Sequence, residues 1–189
     1  MASELNGLRV AFLTSNEGVE QAELTAPWDA VRSAGGTPEL VAPERGQVQA
    51  VNHLDKGDAF PVHRTIGDVG HTEYDAVVVP GGVANGDFLR MVPAAVSFVQ
   101  RMFEAGKPAA VICHGPWILV EAGLVRGRTL TSWPSLRTDI KNAGGDWADR
   151  EVQVCTAGPN TLITSRKPDD LPAFCDNLLK VFSHRAQPA

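Results

Sequence analysis

Residues 109–117 read Ala-Ala-Val-Ile-Cys-His-Gly-Pro-Trp. An apolar run leads directly into a thiol, an imidazole, a glycine and a proline. If Val111 and Ile112 close a buried strand, Cys113 stands at the strand's carboxyl end, where open parallel sheets hold their ligands. A tight strand-to-helix turn at that point lifts one side chain clear of the sheet, in the manner of a nucleophile elbow. Gly115 gives the turn its backbone latitude. A helix starting after it directs N–H groups and a positive dipole end at the sulfur, and both favour thiolate. The chemistry on offer is nucleophilic attack on an electrophilic carbon. The same residues also fit a small core thiol that ends a strand, because free cysteine is commonly buried. Cys155 and Cys175 have no such turn, histidine or glycine beside them and read as structural.

The elements that must position Cys113 follow from the periodicity. Residues 8–14, 38–43, 75–82, 108–113 and 161–165 are short apolar runs, continuous rather than alternating, which implies strands buried on both faces. A helical pattern spans about 20–34 and stops at Gly35-Gly36. Val92, Val96, Val99 and Phe103 mark another helix, closed by Gly106. Pro168, Asp169 and Asp170 open a last helix whose apolar face carries Leu171, Phe174, Leu178 and Val181. Residues 44–74 are the least periodic stretch, with glycines that suggest loops and a hairpin. Strands alternating with amphipathic helices predict parallel βαβ units. The expected fold is a three-layer α/β/α sandwich of flavodoxin-like type, a mostly parallel sheet in a single domain over 1–189.

Composition narrows the function. A net charge of -5 argues against a nucleic-acid partner. No apolar stretch approaches the roughly 18 residues of a membrane span, and the first ten residues lack the basic and apolar regions of a signal peptide. Three cysteines form no metal-type pair, so no metal and no cofactor are expected. Reduced thiols fit a cytoplasmic protein.

Several blocks in order along nearly the whole chain resemble the DJ-1/PfpI superfamily, within it the PfpI-like intracellular protease and general stress protein branch. They are FLTSNEGVEQAEL, YDAVVVPGG, GKPAAVICHGPWIL, AGLVRGRTLTSWPSLRTDIKNAGGDWADREV and LITSRKPDDLPAF. The resemblance implies Cys113 on the elbow and Glu20 from the first helix hydrogen-bonded to its thiol. It implies Glu23 as a second acid near the histidine. Without the resemblance, both acids are equally first-turn residues favoured by the helix dipole. The family further implies His114 as a general base, although neighbouring side chains seldom face each other. The N–H groups of Gly82 and His114 would form an oxyanion hole. Trp133 stands where relatives carry a tyrosine near the pocket. In the PfpI branch an acid follows the Pro-Gly-Gly turn and reaches the histidine of a neighbouring subunit. Here the segment is GGVANGDFLR, the matching position falls on Gly86, and Asp87 beside it is the trans acid on offer. A shorter acid displaced by one residue weakens that triad, and peptidase action with it. The family implies a homo-oligomer with the site near the interface, a dimer being favoured over a hexamer because the segment has diverged.

Two classes of function remain. One is a cysteine-dependent stress-response enzyme acting on small carbonyl compounds, as a glyoxalase or deglycase, or on peptides, through a thiohemiacetal or acyl intermediate. The other is a non-enzymatic redox sensor or chaperone-like stress protein in which Cys113 is oxidised, with Glu20 sharing a proton with the sulfinate. A class I glutamine amidotransferase domain also has an elbow cysteine, but it needs a His-x-Glu pair near the C-terminus. Phe-Ser-His-Arg-Ala-Gln has no such glutamate.

Overall fold

The computed structural model describes residues 4–186. The elements run β1 (Arg9–Leu13), β2 (Glu17–Glu20), α1 (Gln21–Ser33), β3 (Thr37–Ala42), β4 (Gln47–Asn52), β5 (Asp55–Pro61), β6 (Arg64–Thr65) and β7 (Ala76–Val79). Then follow α2 (Val83–Arg90), α3 (Pro93–Glu104), β8 (Ala109–Ile112), α4 (Pro116–Glu121), β9 (Thr129–Leu130), α5 (Arg137–Asn142) and β10 (Asp146–Trp147). The chain closes with β11 (Val152–Cys155), β12 (Leu162–Ser165) and α6 (Leu171–Ala186).

Seven strands form the central sheet in the order β11-β12-β8-β7-β1-β3-β6. Only the edge pair β11–β12 is antiparallel. The continuous apolar strands explain the layers. Within each strand alternate side chains point to opposite faces. Ala11, Leu13, Val77, Val79, Ala109 and Val111 feed a core shared with α3, α4 and α5. Val10, Phe12, Ala76, Val78, Ala110 and Ile112 feed a second core beneath α1 and α6. Both faces are covered, which is the three-layer sandwich that the strand pattern predicts. A helix needs an apolar stripe to join such a layer. In α6, Phe174, Leu178 and Phe182 supply one, and all three are fully buried.

One segment holds the expected hairpin with an unexpected third strand, and another differs from expectation. Residues 44–74 contain the hairpin β4–β5, and β2 joins it as a third strand alongside β4. Its outer strand reads Asp-Lys-Gly-Asp-Ala-Phe-Pro and is largely exposed, so no apolar alternation marked it. The helical stretch after the Pro-Gly-Gly turn is two helices rather than one. Pro93 opens α3 at its first turn, and α2 precedes it. Residues 1–3 and 187–189, including Gln187 of the Phe-Ser-His-Arg-Ala-Gln run, lie outside the described residues.

Burial ranks the contributions. Phe12 is fully buried in β1, its ring centroid 5.0 Å from that of Trp28. Phe12→Ala is expected to cost about 3–5 kcal/mol through lost burial and an unfilled cavity. Leu54, 88% exposed at the β4–β5 turn, is expected to cost less than about 0.5 kcal/mol when cut to alanine. Urea unfolding of the two variants measures the contrast.

Candidate active site

Strand β8 ends at Ile112, and Cys113 follows at φ 62°, a left-handed backbone that few non-glycine residues adopt. Three hydrogen bonds hold it there. The Cys113 N–H donates to the Ser165 carbonyl at 3.0 Å, and the Trp133 N–H donates to the Cys113 carbonyl at 2.9 Å. Gly115 N–H closes the turn onto Ile112 O at 2.9 Å. The elbow inferred from the sequence is therefore present. The left-handed turn also answers the objection that neighbouring side chains rarely meet: Nδ1 of His114 lies 3.2 Å from Cys113 Sγ.

The acid against the sulfur is Glu23, not Glu20. Glu23 is fully buried in the first turn of α1. Its Oε2 accepts from Gly81 N–H at 2.8 Å, its carboxyl lies against Cys113 Sγ, and Oε1 has no nitrogen or oxygen partner. Glu20 belongs to β2, paired with Val51 of β4, and precedes the helix. From there its Oε2 accepts from His53 N–H at 3.0 Å. Helix phase does not separate the two, since position 20 falls on the same stripe as Glu23, Leu24, Pro27 and Val31. What separates them is the chain path: residues 17–20 pair with β4, and the helix begins only at Gln21. His53, Leu54, Val83 and Pro168 also line the pocket and had no signal in the sequence. They come from a hairpin tip and two loop ends that only the fold brings together.

Gly82 stands at φ 96° at the start of α2, and its N–H and that of His114 point at the Cys113 sulfur. A side chain at Gly81 would collide with both Glu23 Oε2 and Cys113 Cβ, at 2.3 and 2.4 Å. The Pro-Gly-Gly turn is thus bare because the acid and the thiol close on it. Trp133 stacks on the His114 ring at 5.7 Å and 24°, and Trp117 leans on it at 5.2 Å. Asp87 is exposed on α2. A side chain at Gly86 would meet the His114 carbonyl at 2.7 Å, so α2 packs directly on the elbow and has no room for an acid at that position.

Burial sets the electrostatics. It pushes the Glu23 carboxyl up to about 8, opposed in part by its contact with the thiol. Burial also pushes the Cys113 thiol up, and the nearby Glu23 charge adds to this, outweighing the two N–H groups that favour thiolate. The sequence led us to expect a lowered thiol pKa. Helix α4 has only six residues, and the buried carboxyl dominates its end. Burial lowers His114 to about 4, so its ring is neutral at pH 7.

Glu20, Glu23, Gly82, Cys113, His114 and Trp133 converge on one cavity of about 190 Å³. A larger cleft of about 380 Å³, between Trp28, Leu40, Phe60 and His63, is lined by no cysteine. Fold and site together define an α/β sandwich protein with an elbow cysteine paired to a buried glutamate. The DJ-1/PfpI family model matches residues 8–181, and the chain belongs to that family. It is 38% identical over 174 residues to a deglycase of Pyrococcus horikoshii, covering 92% of this chain and 99% of that one. General stress protein 18 of Bacillus subtilis is 37% identical over 155 residues, 82% of this chain and 87% of that protein. The solved structure of DJ-1 from Schizosaccharomyces pombe superposes with a TM-score of 0.79 at 20% identity, covering 95% of this chain and 97% of that one, and shares the fold. No helix among the described residues is long and apolar enough to cross a membrane.

The raised Glu23 pKa has a consequence for stability. The unfolded carboxyl ionises near its ordinary value of 4.5, while the folded one keeps its proton to about 8. The contribution is therefore fully present below pH 4.5 and is lost as pH rises to about 8. Melting temperature should fall across that window in the native protein. In Glu23→Gln the slope should be flatter. Calorimetry of both from pH 4.5 to 8.5 checks it.

Proposed function

We propose that the chain is a cysteine-dependent enzyme acting on small carbonyl compounds, in the manner of a glyoxalase or deglycase. The observation that carries this reading is the buried Glu23 carboxyl against Cys113, with one oxygen free of any other partner. A base whose pKa lies near working pH is best suited to move a proton. Glu23, at about 8, fits that role better than His114, at about 4. Glu23 takes the thiol proton as sulfur adds to an aldehyde carbon, giving a hemithioacetal. The Gly82 and His114 N–H groups, already aimed at the sulfur, can hold the developing oxyanion. The proton then returns from Glu23 to the adduct. His114 stays neutral between its two tryptophans and fixes the position of the sulfur. A cavity of about 190 Å³ supports a small aldehyde or the glycated end of an amine more readily than a folded peptide. The relative named a deglycase points the same way. Oxidation of Cys113 is the second reading, supported by the same carboxyl, which can hydrogen-bond a sulfinate.

Cys113→Ser should abolish turnover of methylglyoxal and release of glycated amine, with peptide hydrolysis negligible in both proteins. kcat/KM should rise with pH and level off above about 8, and Glu23→Gln should lower it at least about 100-fold, the scale of a lost general base. Retained carbonyl turnover in Cys113→Ser would exclude the reading.

We further propose a homodimer with the site at its edge. Val83, Phe88 and Met91 are 46, 43 and 66% exposed on and just after α2, beside the elbow, and large apolar side chains in one exposed group favour an interface. Asp87 on the same helix is the acid that can reach the partner's site in trans. Light scattering at micromolar concentration should give twice the 20.2 kDa chain mass. Asp87→Asn should lower turnover in that dimer, and unchanged turnover would remove the trans acid.

A further inference from the structure

At the opposite end of the sheet from Cys113, where β8 and β12 begin, a second thiol meets a buried positive charge. Arg128, just before β9, is only 4% exposed. Its guanidinium donates to the Asn160 carbonyl at 3.2 Å and to Asn160 Oδ1 at 2.6 Å, and it lies over the Phe103 ring at 5.2 Å. Both oxygens are neutral. No carboxylate pairs with Arg128 among the described residues, and its Nε has no oxygen acceptor among them. The sulfur of Cys155, at the end of the edge strand β11, lies against the guanidinium. A buried charge without a counter-ion is costly, and folded proteins generally pair such charges. Burial accordingly lowers the Arg128 pKa.

On its outer side the guanidinium is covered by a short turn. Residues 156–159 form an exposed turn between β11 and β12. Gly158 in that turn, at φ 105°, lies on Arg128, and a Cβ there would fall 2.5 Å from Nη2. Asn160 is itself locked, donating to the Lys107 carbonyl at 2.8 Å, so it cannot turn away from Arg128. The arrangement is a fixed, desolvated cation with a thiol beside it and a short exposed turn over it.

We propose that Cys155 is a second oxidation site of this protein, taking oxygen from small hydroperoxides, and that its sulfinate is the missing counter-ion of Arg128. In the first step the sulfur attacks the terminal peroxide oxygen. The S–O bond forms as the O–O bond breaks, and the departing alkoxide takes the thiol proton. Cysteine and hydroperoxide become sulfenic acid and alcohol. A second hydroperoxide oxidises the sulfur by two more electrons and gives sulfinic acid, which ionises. Its oxygens then accept charge-assisted hydrogen bonds from the guanidinium, about twice as strong as neutral ones.

Cys175 is the internal control. It is more exposed than Cys155, yet burial and the Asp176 charge push its thiol up to about 11. Access alone would oxidise Cys175 first, whereas the cation favours Cys155. The protein and its Cys113→Ser variant are treated with graded hydrogen peroxide, and oxygen additions are quantified by peptide mass spectrometry. Cys155 is expected to gain two oxygens roughly tenfold faster than Cys175, the scale of one charge-assisted bond. Arg128→Gln should remove that preference, and Arg128→Lys should keep part of it. Should Arg128→Gln fail to fold, the order of oxidation in the unaltered chain and in Arg128→Lys decides. Oxidation of Cys175 before Cys155, or no difference between Arg128→Gln and the parent, would overturn the proposal.

Discussion

Holding a non-glycine residue in a left-handed backbone costs on the order of 1–3 kcal/mol, and here that cost falls on Cys113, at φ 62°. Its backbone N–H and carbonyl are each tied to a neighbouring segment, to Ser165 at the end of β12 and to Trp133. Strand β8 is itself held between β7 and β12. The parallel sheet thus over-determines the elbow. From the elbow follow the approach of His114 to the sulfur, the aim of two N–H groups, and the closeness of Gly81 and Gly82. A regular extension of β8 would turn the thiol away from Glu23 and leave that carboxyl only the Gly81 N–H.

Two groups pushed in the same direction share this site. Burial raises both the Glu23 carboxyl and the Cys113 thiol, so each resists losing its proton first. Such a pair stores a proton next to a nucleophile. The low dielectric that makes an uncompensated charge expensive also strengthens the hydrogen bonds that form once charge develops. His114, wedged between tryptophans, adds no further charge, and the pair is the centre of the proposed chemistry.

Much of this was legible in the sequence. The strand ends, the elbow and the Pro-Gly-Gly turn came from apolar runs that stop at glycine or proline, a local signal. The acid was misplaced by one helical turn. Glu20 and Glu23 are equally acidic and equally near the helix start. Helical phase places both on the face of Leu24, Pro27 and Val31, and only the pairing of residues 17–20 with β4, which delays the helix to Gln21, separates them. The pocket roof was invisible for a different reason. His53 and Leu54 sit on a hairpin whose outer strand is polar, and what holds them over the thiol is pairing between β2 and β4, a long-range contact without periodicity.

That roof is fastened to the body by the β2–β4 pairing and by side-chain bonds near its tip. Gln21 and Asp58 exchange two hydrogen bonds, at 2.8 and 2.7 Å, and Glu20 holds the tip through the His53 N–H. None of these contacts involves Cys113 or Glu23. Entry to the site and reactivity within it therefore reside in separate modules of the chain. A different hairpin of the same length can alter which molecules arrive, while the proton-sharing pair beneath keeps its character.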